Sequence, residues 1–239
     1  MKFQKTDQIY RKKRSKISKK YGKHELWSII DHWPLYCGIA NLSRFMSIAD
    51  AFRSTLNVPG HIAEFGTWKG ANLLFLAKLL KIYDSEGNKL VHAFDSFEGL
   101  NEFHSKDGKK AETKKGIYQG SYQRLLEMVR LYDLKDDIII HKGIIERTLP
   151  AFVKKNSSIA FSFVYCDTDL YQSTKLILNT LHPLMVKGGV FVLDEWNYDM
   201  WPGETLAVKE FLKVFGEFYI LEHVLHARQP SILLRKCKD

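Results

Sequence analysis

Residues Phe163–Phe211 read FVYCDTDLYQSTKLILNTLHPLMVKGGVFVLDEWNYDMWPGETLAVKEF. An apolar strand ends in two carboxylates, Asp167 and Asp169, and an amphipathic helix follows. A Gly-Gly turn then opens a second apolar strand, which ends in Asp194 and Glu195. Two parallel strands joined by a helix put their C-terminal ends on one edge of a sheet. Four acids therefore gather on one rim, where open α/β sheets bind ligands. Such a cluster repels itself unless protons or a cation compensate. A hard, oxygen-loving divalent ion such as magnesium is the natural partner.

Outward from this stretch, strands and helices alternate. His61–Gly66, Lys89–Asp95, Asp137–Gly143 and Ala160–Asp167 read as strands. Lys69–Tyr83, with Leu73, Leu76, Ala77 and Leu80 on one face, and Ser121–Leu131 read as helices, as does Glu204–Phe215. Ahead of them, Ile39, Leu42, Phe45, Met46, Ala49 and Phe52 recur at helical spacing. Ser85–Asn88 reads as a turn, and residues 101–117, rich in lysine and glycine, as a mobile loop or lid. Tyr219–His226 and Ser231–Arg235, joined by a short connection, look like an antiparallel hairpin. The expected fold is α/β: a doubly wound, mostly parallel seven-stranded sheet with an antiparallel C-terminal hairpin. That Rossmann-like shape is usual among class I methyltransferases.

The 239 residues suit one domain with a full core. No apolar run is long enough to span a bilayer, and the charged N-terminus lacks the apolar segment of a secretory signal. Three widely spaced cysteines (Cys37, Cys166, Cys237) suggest neither a disulfide framework nor a zinc site, so reduced thiols in a cytoplasm are expected. The net charge of +9 sits in residues 1–23, which hold ten Lys/Arg against the single acid Asp7. The rest, 24–239, is neutral overall and is expected to be the folded domain. The basic tail suits an anionic surface or an acidic partner. It lacks the interleaved aromatics of a single-strand nucleic-acid binder, so a nucleic-acid partner is not expected.

The first strand leads into Glu64-Phe65-Gly66-Thr67-Trp68-Lys69-Gly70. Glycines here let the backbone approach a ligand beside a helix N-terminus. The spacing is GxxxG rather than GxGxxG, and Trp68 fills the place a dinucleotide pyrophosphate needs. An acid at the strand end suits a positively charged ligand, and S-adenosylmethionine carries an ammonium and a sulfonium. Asp95 ends the second strand, where a carboxylate can accept both hydroxyls of a ribose.

Several segments together resemble the macrocin O-methyltransferase (TylF-like) family. They are AEFGTWKG, AFDSFEGL, GIIERTLP, DTDLYQST, GGVFVLDEW and WPGETLAVKEF, in family order from about residue 35 to 212. The family's members use S-adenosylmethionine and magnesium to methylate sugar hydroxyls. The resemblance implies that Glu64, Gly66 and Gly70, with Thr67 in the same turn, bind the methionine half of the cofactor. It puts Asp95 and Ser96 at the ribose and Gly143 with Ile144 near the adenine. Asp167 corresponds to the first acid of the family's DxD motif, next to both cofactor and metal. Asp194 and Glu195 correspond to its acidic pair, completing a magnesium site. Here Glu195 stands where the family has Asp, Trp196 where Tyr is usual, and Ile144-Ile145 where an aromatic follows the glycine.

The implied reaction is displacement of a methyl group by a sugar oxygen, with metal chelation making the hydroxyl more acidic. Asp167 is the first candidate for the base, with His104 and His141 as alternatives. Asp169 reads as a helix N-cap or a group behind the metal ligands. Tyr171, Thr174 and Leu178 read as packing residues. Trp196, Tyr198 and Trp201 either stack on a sugar ring or close the core. The loop lysines could meet the phosphates of a nucleotide-sugar, or be a solvated lid. Two other readings stay open: a catechol-type O-methyltransferase, and a non-catalytic methyltransferase-like binding protein. The sugar, the hydroxyl and the oligomeric state are left open.

Overall fold

The computed structural model describes residues 32–84 and 87–239, with Gln8 alone before them. Apart from Gln8, the basic tail lies outside the described residues, as does half of the expected Ser85–Asn88 turn. The chain begins with a single helical turn, α1 (Trp33–Tyr36), and a helix, α2 (Ile39–Arg53). Alternating elements follow: β1 (His61–Phe65), α3 (Ala71–Tyr83), β2 (Val91–Asp95), α4 (Gly108–Glu112), α5 (Tyr122–Leu131), β3 (Ile138–Lys142), α6 (Ile145–Lys155) and β4 (Phe161–Cys166). The chain closes with α7 (Tyr171–Leu181), β5 (Met185–Leu193), α8 (Pro202–Phe215), β6 (Tyr219–His223) and β7 (Ile232–Lys236).

The seven strands lie in the order β3-β2-β1-β4-β5-β7-β6. The first five are parallel, while β7 pairs antiparallel with both β5 and β6. The expected doubly wound sheet with its antiparallel end is therefore what the chain forms. Both faces are covered. Along β4, Phe163 and Tyr165 join the core under α2, α3 and α5, while Val164 and Cys166 join the core under α6, α7 and α8. A strand buried on both sides needs no polar alternation, which is why FSFVYC is apolar almost throughout.

Four sequence expectations change. The helix α6 lies where the sequence reading placed no element, and it forms although Pro150 sits inside it, a residue that usually ends a helix. Leu149 and Phe152 on its inner face are buried and hold it to the sheet. The Gly-Gly pair lies within β5 rather than before it. In α2 the buried stripe is Ser43, Ser47, Ile48, Ala51 and Phe52, whereas Ile39, Leu42 and Met46 are exposed. The 101–117 segment is not a plain loop. A 3-10 turn (Ser105–Asp107) and α4 dock it on α7 and α8, with Asp107 buried and accepting from the amides of Tyr171 and His104, both at 2.7 Å. Gly203 allows that approach, since a Cβ there would lie 1.9 Å from the Asp107 carboxylate.

The strand order reverses between β1 and β4, which opens a crevice beyond their carboxyl ends. Gly66 keeps its two lips together. Its φ is +86°, and a Cβ would meet the Asp167 carbonyl oxygen at 1.9 Å.

Candidate active site

One cavity of about 750 Å³ opens along this crevice. Glu64, Gly66, Thr67, Asp95, Ser96 and Ile144 line one half, and Asp167, Asp194 and Glu195 line the other. Gly70 and Gly143 are not among the lining residues. Gly70 is the left-handed N-cap of α3, and the Gly143 amide donates to the Asp95 carbonyl at 2.9 Å.

The first half holds polar groups with nothing to bond. Glu64 Oε2, Thr67 Oγ1 and both side-chain polar atoms of Asn72 are buried and lack a hydrogen-bond partner. Leaving such atoms unpaired costs about 1–3 kcal/mol each, so a cluster of four at a cavity wall is the signature of a polar ligand. Burial drives the Glu64 carboxyl up to about 8, with the neighbouring Asn72 and Thr67 side chains pulling the other way and the charges of Asp167 and Asp95 adding to the rise. A cationic group placed here would be met by an acid that has no counter-charge. The residues therefore fit the amino-acid end of S-adenosylmethionine. Asn72 was not singled out in the sequence, because nothing in ANLLFLAK distinguishes it from a surface polar residue.

Asp95 also has a structural task that its sequence position did not reveal. Its oxygens already accept from the backbone amides of Trp68 and Phe97, each at 2.6 Å. It fastens the ends of β1 and β2 together. Burial raises its pKa, and the amides oppose that. Trp68 and Phe97 both adopt left-handed φ values, +50° and +64°, which this carboxylate clamp holds in place.

The second half is the acid rim. Asp194 accepts from the Tyr165 hydroxyl and Glu195 from the Gln229 amide. The Arg44 guanidinium, from α2, reaches between the strand ends, with Nη2 2.8 Å from Asp167 Oδ2 and Nη1 3.1 Å from Asp194 Oδ2. Burial opposes the arginine's charge, but Asp194, Tyr165 and Asp167 more than offset it. One guanidinium does not balance the rim. Burial and then Asp194 push Asp167 up to about 7, although Arg44 lowers it. Burial and the neighbouring acids take Glu195 to about 10 and Asp169 well above its usual range. The donor set, carboxylate oxygens from two adjacent strand ends, suits a hard divalent ion. Among the described residues, however, no three His, Cys, Asp or Glu side chains converge as a metal centre; the cation that bridges two of the acids is Arg44.

Asp169 is not a helix cap. The N-cap of α7 is Leu170, and Asp169 is a buried, left-handed residue (φ +61°) facing Asp167 and Asp194. The two histidine candidates for the base are otherwise engaged. His104 caps the Ser105–Asp107 turn, and His141 lies 3.1 Å from His92 and stacks on Phe94. Trp201 is buried and closes the core, while Tyr198 meets Arg228. Tyr171, Thr174 and Leu178 are buried packing residues, as expected. Lys106, from the lysine-rich segment, binds Glu210 and the Tyr171 hydroxyl. Phe45, Trp68 and Tyr118 are the aromatic residues lining the cavity, and the rings of the last two meet edge-on at 5.4 Å. Burial and the charges of Asp169, Glu195 and Asp167 hold the Tyr118 phenol at about 12. Arg44 and Tyr118 escaped sequence reasoning because their site partners are far along the chain.

With the strand-end acids, the orphaned turn and the cavity they share in place, comparison with known proteins is decisive. A model of the macrocin O-methyltransferase (TylF) family matches residues 5–218. The chain belongs to this family. It is 28% identical over 169 residues to demethyldecarbamoylnovobiocin O-methyltransferase of Streptomyces niveus, covering 66% of this chain and 60% of the relative. It is 30% identical over 154 residues to 8-demethyl-8-(2,3-dimethoxy-alpha-L-rhamnosyl)-tetracenomycin-C 4'-O-methyltransferase of Streptomyces olivaceus, covering 59% of this chain and 55% of the relative. The matched stretch thus spans little more than half of these relatives' lengths. Among solved structures, the calicheamicin methyltransferase CalS11 superposes with a TM-score of 0.83 at 23% identity, over 98% of this chain and 93% of that one. The O-methyltransferase NovP superposes with a TM-score of 0.70 at 23% identity, over 83% and 81%. These likenesses confirm the class I methyltransferase fold.

Proposed function

We propose that the protein transfers a methyl group from S-adenosylmethionine to a hydroxyl of a sugar, free, glycosidic or nucleotide-linked, with magnesium at the acid rim. The observation that carries this is the set of unpartnered buried atoms on Glu64, Thr67 and Asn72, in one cavity with the acids of β4 and β5. Family membership and the rhamnosyl ring in the name of one relative support the sugar as acceptor.

Glu64 would hold the cofactor's ammonium, and Asp95 with Ser96 the ribose. Ile144 would pack on the adenine. The cofactor supplies the methyl group on a good leaving group, so the protein's task is alignment. Asp167 stands at the junction of the two halves, on the lip that Gly66 holds against β1, and would take the hydroxyl proton. Magnesium, held by Asp167, Asp194 and Glu195, would make that hydroxyl more acidic. The excess negative charge at the rim favours such an ion. Trp68 and Tyr118 offer an aromatic edge to the acceptor.

The test is methyl transfer from radiolabelled S-adenosylmethionine to a panel of rhamnosides, nucleotide-linked sugars and catechols, with magnesium or with EDTA. Label is expected in a sugar, lost with chelator and restored by magnesium. Label in catechols alone would overturn the acceptor class, and full transfer in EDTA would overturn the metal.

A further inference from the structure

Arg44 is the one basic side chain that reaches into the acid rim from α2, and its two ion pairs cross between β4 and β5. Both nitrogens use the Oδ2 atoms that Asp167 and Asp194 turn toward the gap. The same helix supplies Ala40, Asn41 and Phe45 to the cavity wall. We infer that Arg44 is a tethered counter-cation that excludes a divalent ion from Asp167 and Asp194, so that metal loading releases α2 from the rim. This rests on the proposed magnesium reading.

The physical case is competition for the same lone pairs. A guanidinium delivers one delocalised charge at 2.8 Å and 3.1 Å from the two oxygens. Magnesium would deliver two charges at about 2.1 Å. The attraction per oxygen scales as charge over distance, so it is roughly threefold larger for the metal. Against that stand the metal's reluctance to shed water and the arginine's high local concentration, fixed by the helix. The tether keeps the acids paired when no metal is present and sets a threshold concentration for loading. By linkage, whatever the metal gains at the rim α2 loses in anchorage. Wall and metal are then coupled: the helix is loosened at the moment the acceptor site becomes competent.

The test is calorimetric titration of MgCl2 into the full-length protein and its Arg44→Gln variant. S-adenosylhomocysteine affinity is measured on the same samples. The variant is expected to bind magnesium about tenfold more tightly than the wild type while binding S-adenosylhomocysteine similarly. Equal magnesium affinity in the two proteins would overturn the competition and leave the metal reading standing. Failure of both to bind magnesium would overturn both. Loss of S-adenosylhomocysteine binding in the wild type would instead strike the cofactor assignment. Should the variant fail to fold, hydrogen exchange of residues 39–53 in the wild type decides. Exchange there is expected to quicken when magnesium is added, and unchanged exchange at saturating magnesium would contradict the proposal.

Discussion

Glu64 is buried at 1% exposure, and its Oε2 has no partner. Its carboxyl, at about 8, keeps its proton near neutrality. Because the folded value is raised, the stability this residue contributes is full below about 4.5, and it is lost as pH rises through about 8. A ligand ammonium reverses the preference by stabilising the ionised form. Binding of S-adenosylhomocysteine should therefore release a proton and tighten as pH rises toward 8, by up to tenfold per unit. Calorimetry in two buffers of different ionisation enthalpy measures this directly. Glu64→Gln should abolish both the proton release and the pH dependence. An unchanged pH profile in that variant would remove Glu64 from the cofactor site. Its position was legible in the sequence as an acid closing an apolar strand. Its protonation was not, because that depends on how completely the fold buries the carboxyl.

At the scale of elements, apolar runs identified all five parallel strands, and the acids that close β1, β2, β4 and β5 identified the rim. What the sequence hid was what crosses between elements. Arg44 meets carboxylates 123 and 150 residues away, so no local pattern reveals it. Asp169 looks like a cap by its place before a helix, but its left-handed φ turns it into the rim. The 101–117 segment looks mobile by composition, yet Asp107 ties it to the first residue of α7 and to His104. Asp107→Ala leaves two amides without acceptors and should lower stability by roughly 2 kcal/mol, partly offset by relief of a buried acid. Urea denaturation followed by far-UV circular dichroism checks this. If the tie is only a packing accident, the midpoint will not move. The same variant should raise KM for the acceptor, since Tyr118 sits at the end of this segment.

For the whole molecule, charge is divided unevenly. The segment 1–23 carries +9 and the remainder sums to zero, so adhesion to anionic polymers is expected of that segment. Retention on heparin should fall steeply with salt and vanish when residues 1–23 are removed. Retention that survives the deletion would place a basic surface on the folded part. The family match begins at residue 5, inside the segment, so the boundary at 23 drawn from charge remains a proposal. No helix among the described residues is long and apolar enough to cross a membrane. The architecture gathers the turn after β1, an acid rim and an aromatic edge into one crevice at the strand reversal between β1 and β4. The central claim is that this crevice binds S-adenosylmethionine through the ends of β1 and β2. Titration of S-adenosylhomocysteine into the wild-type protein and into Asp95→Ala, with circular dichroism to verify folding, tests it most directly. One site per chain is expected in the wild type, weakened about tenfold or more in the variant by loss of charge-assisted hydrogen bonds worth roughly 1.5–3 kcal/mol. No binding by the wild type, or equal affinity in a folded variant, would contradict it.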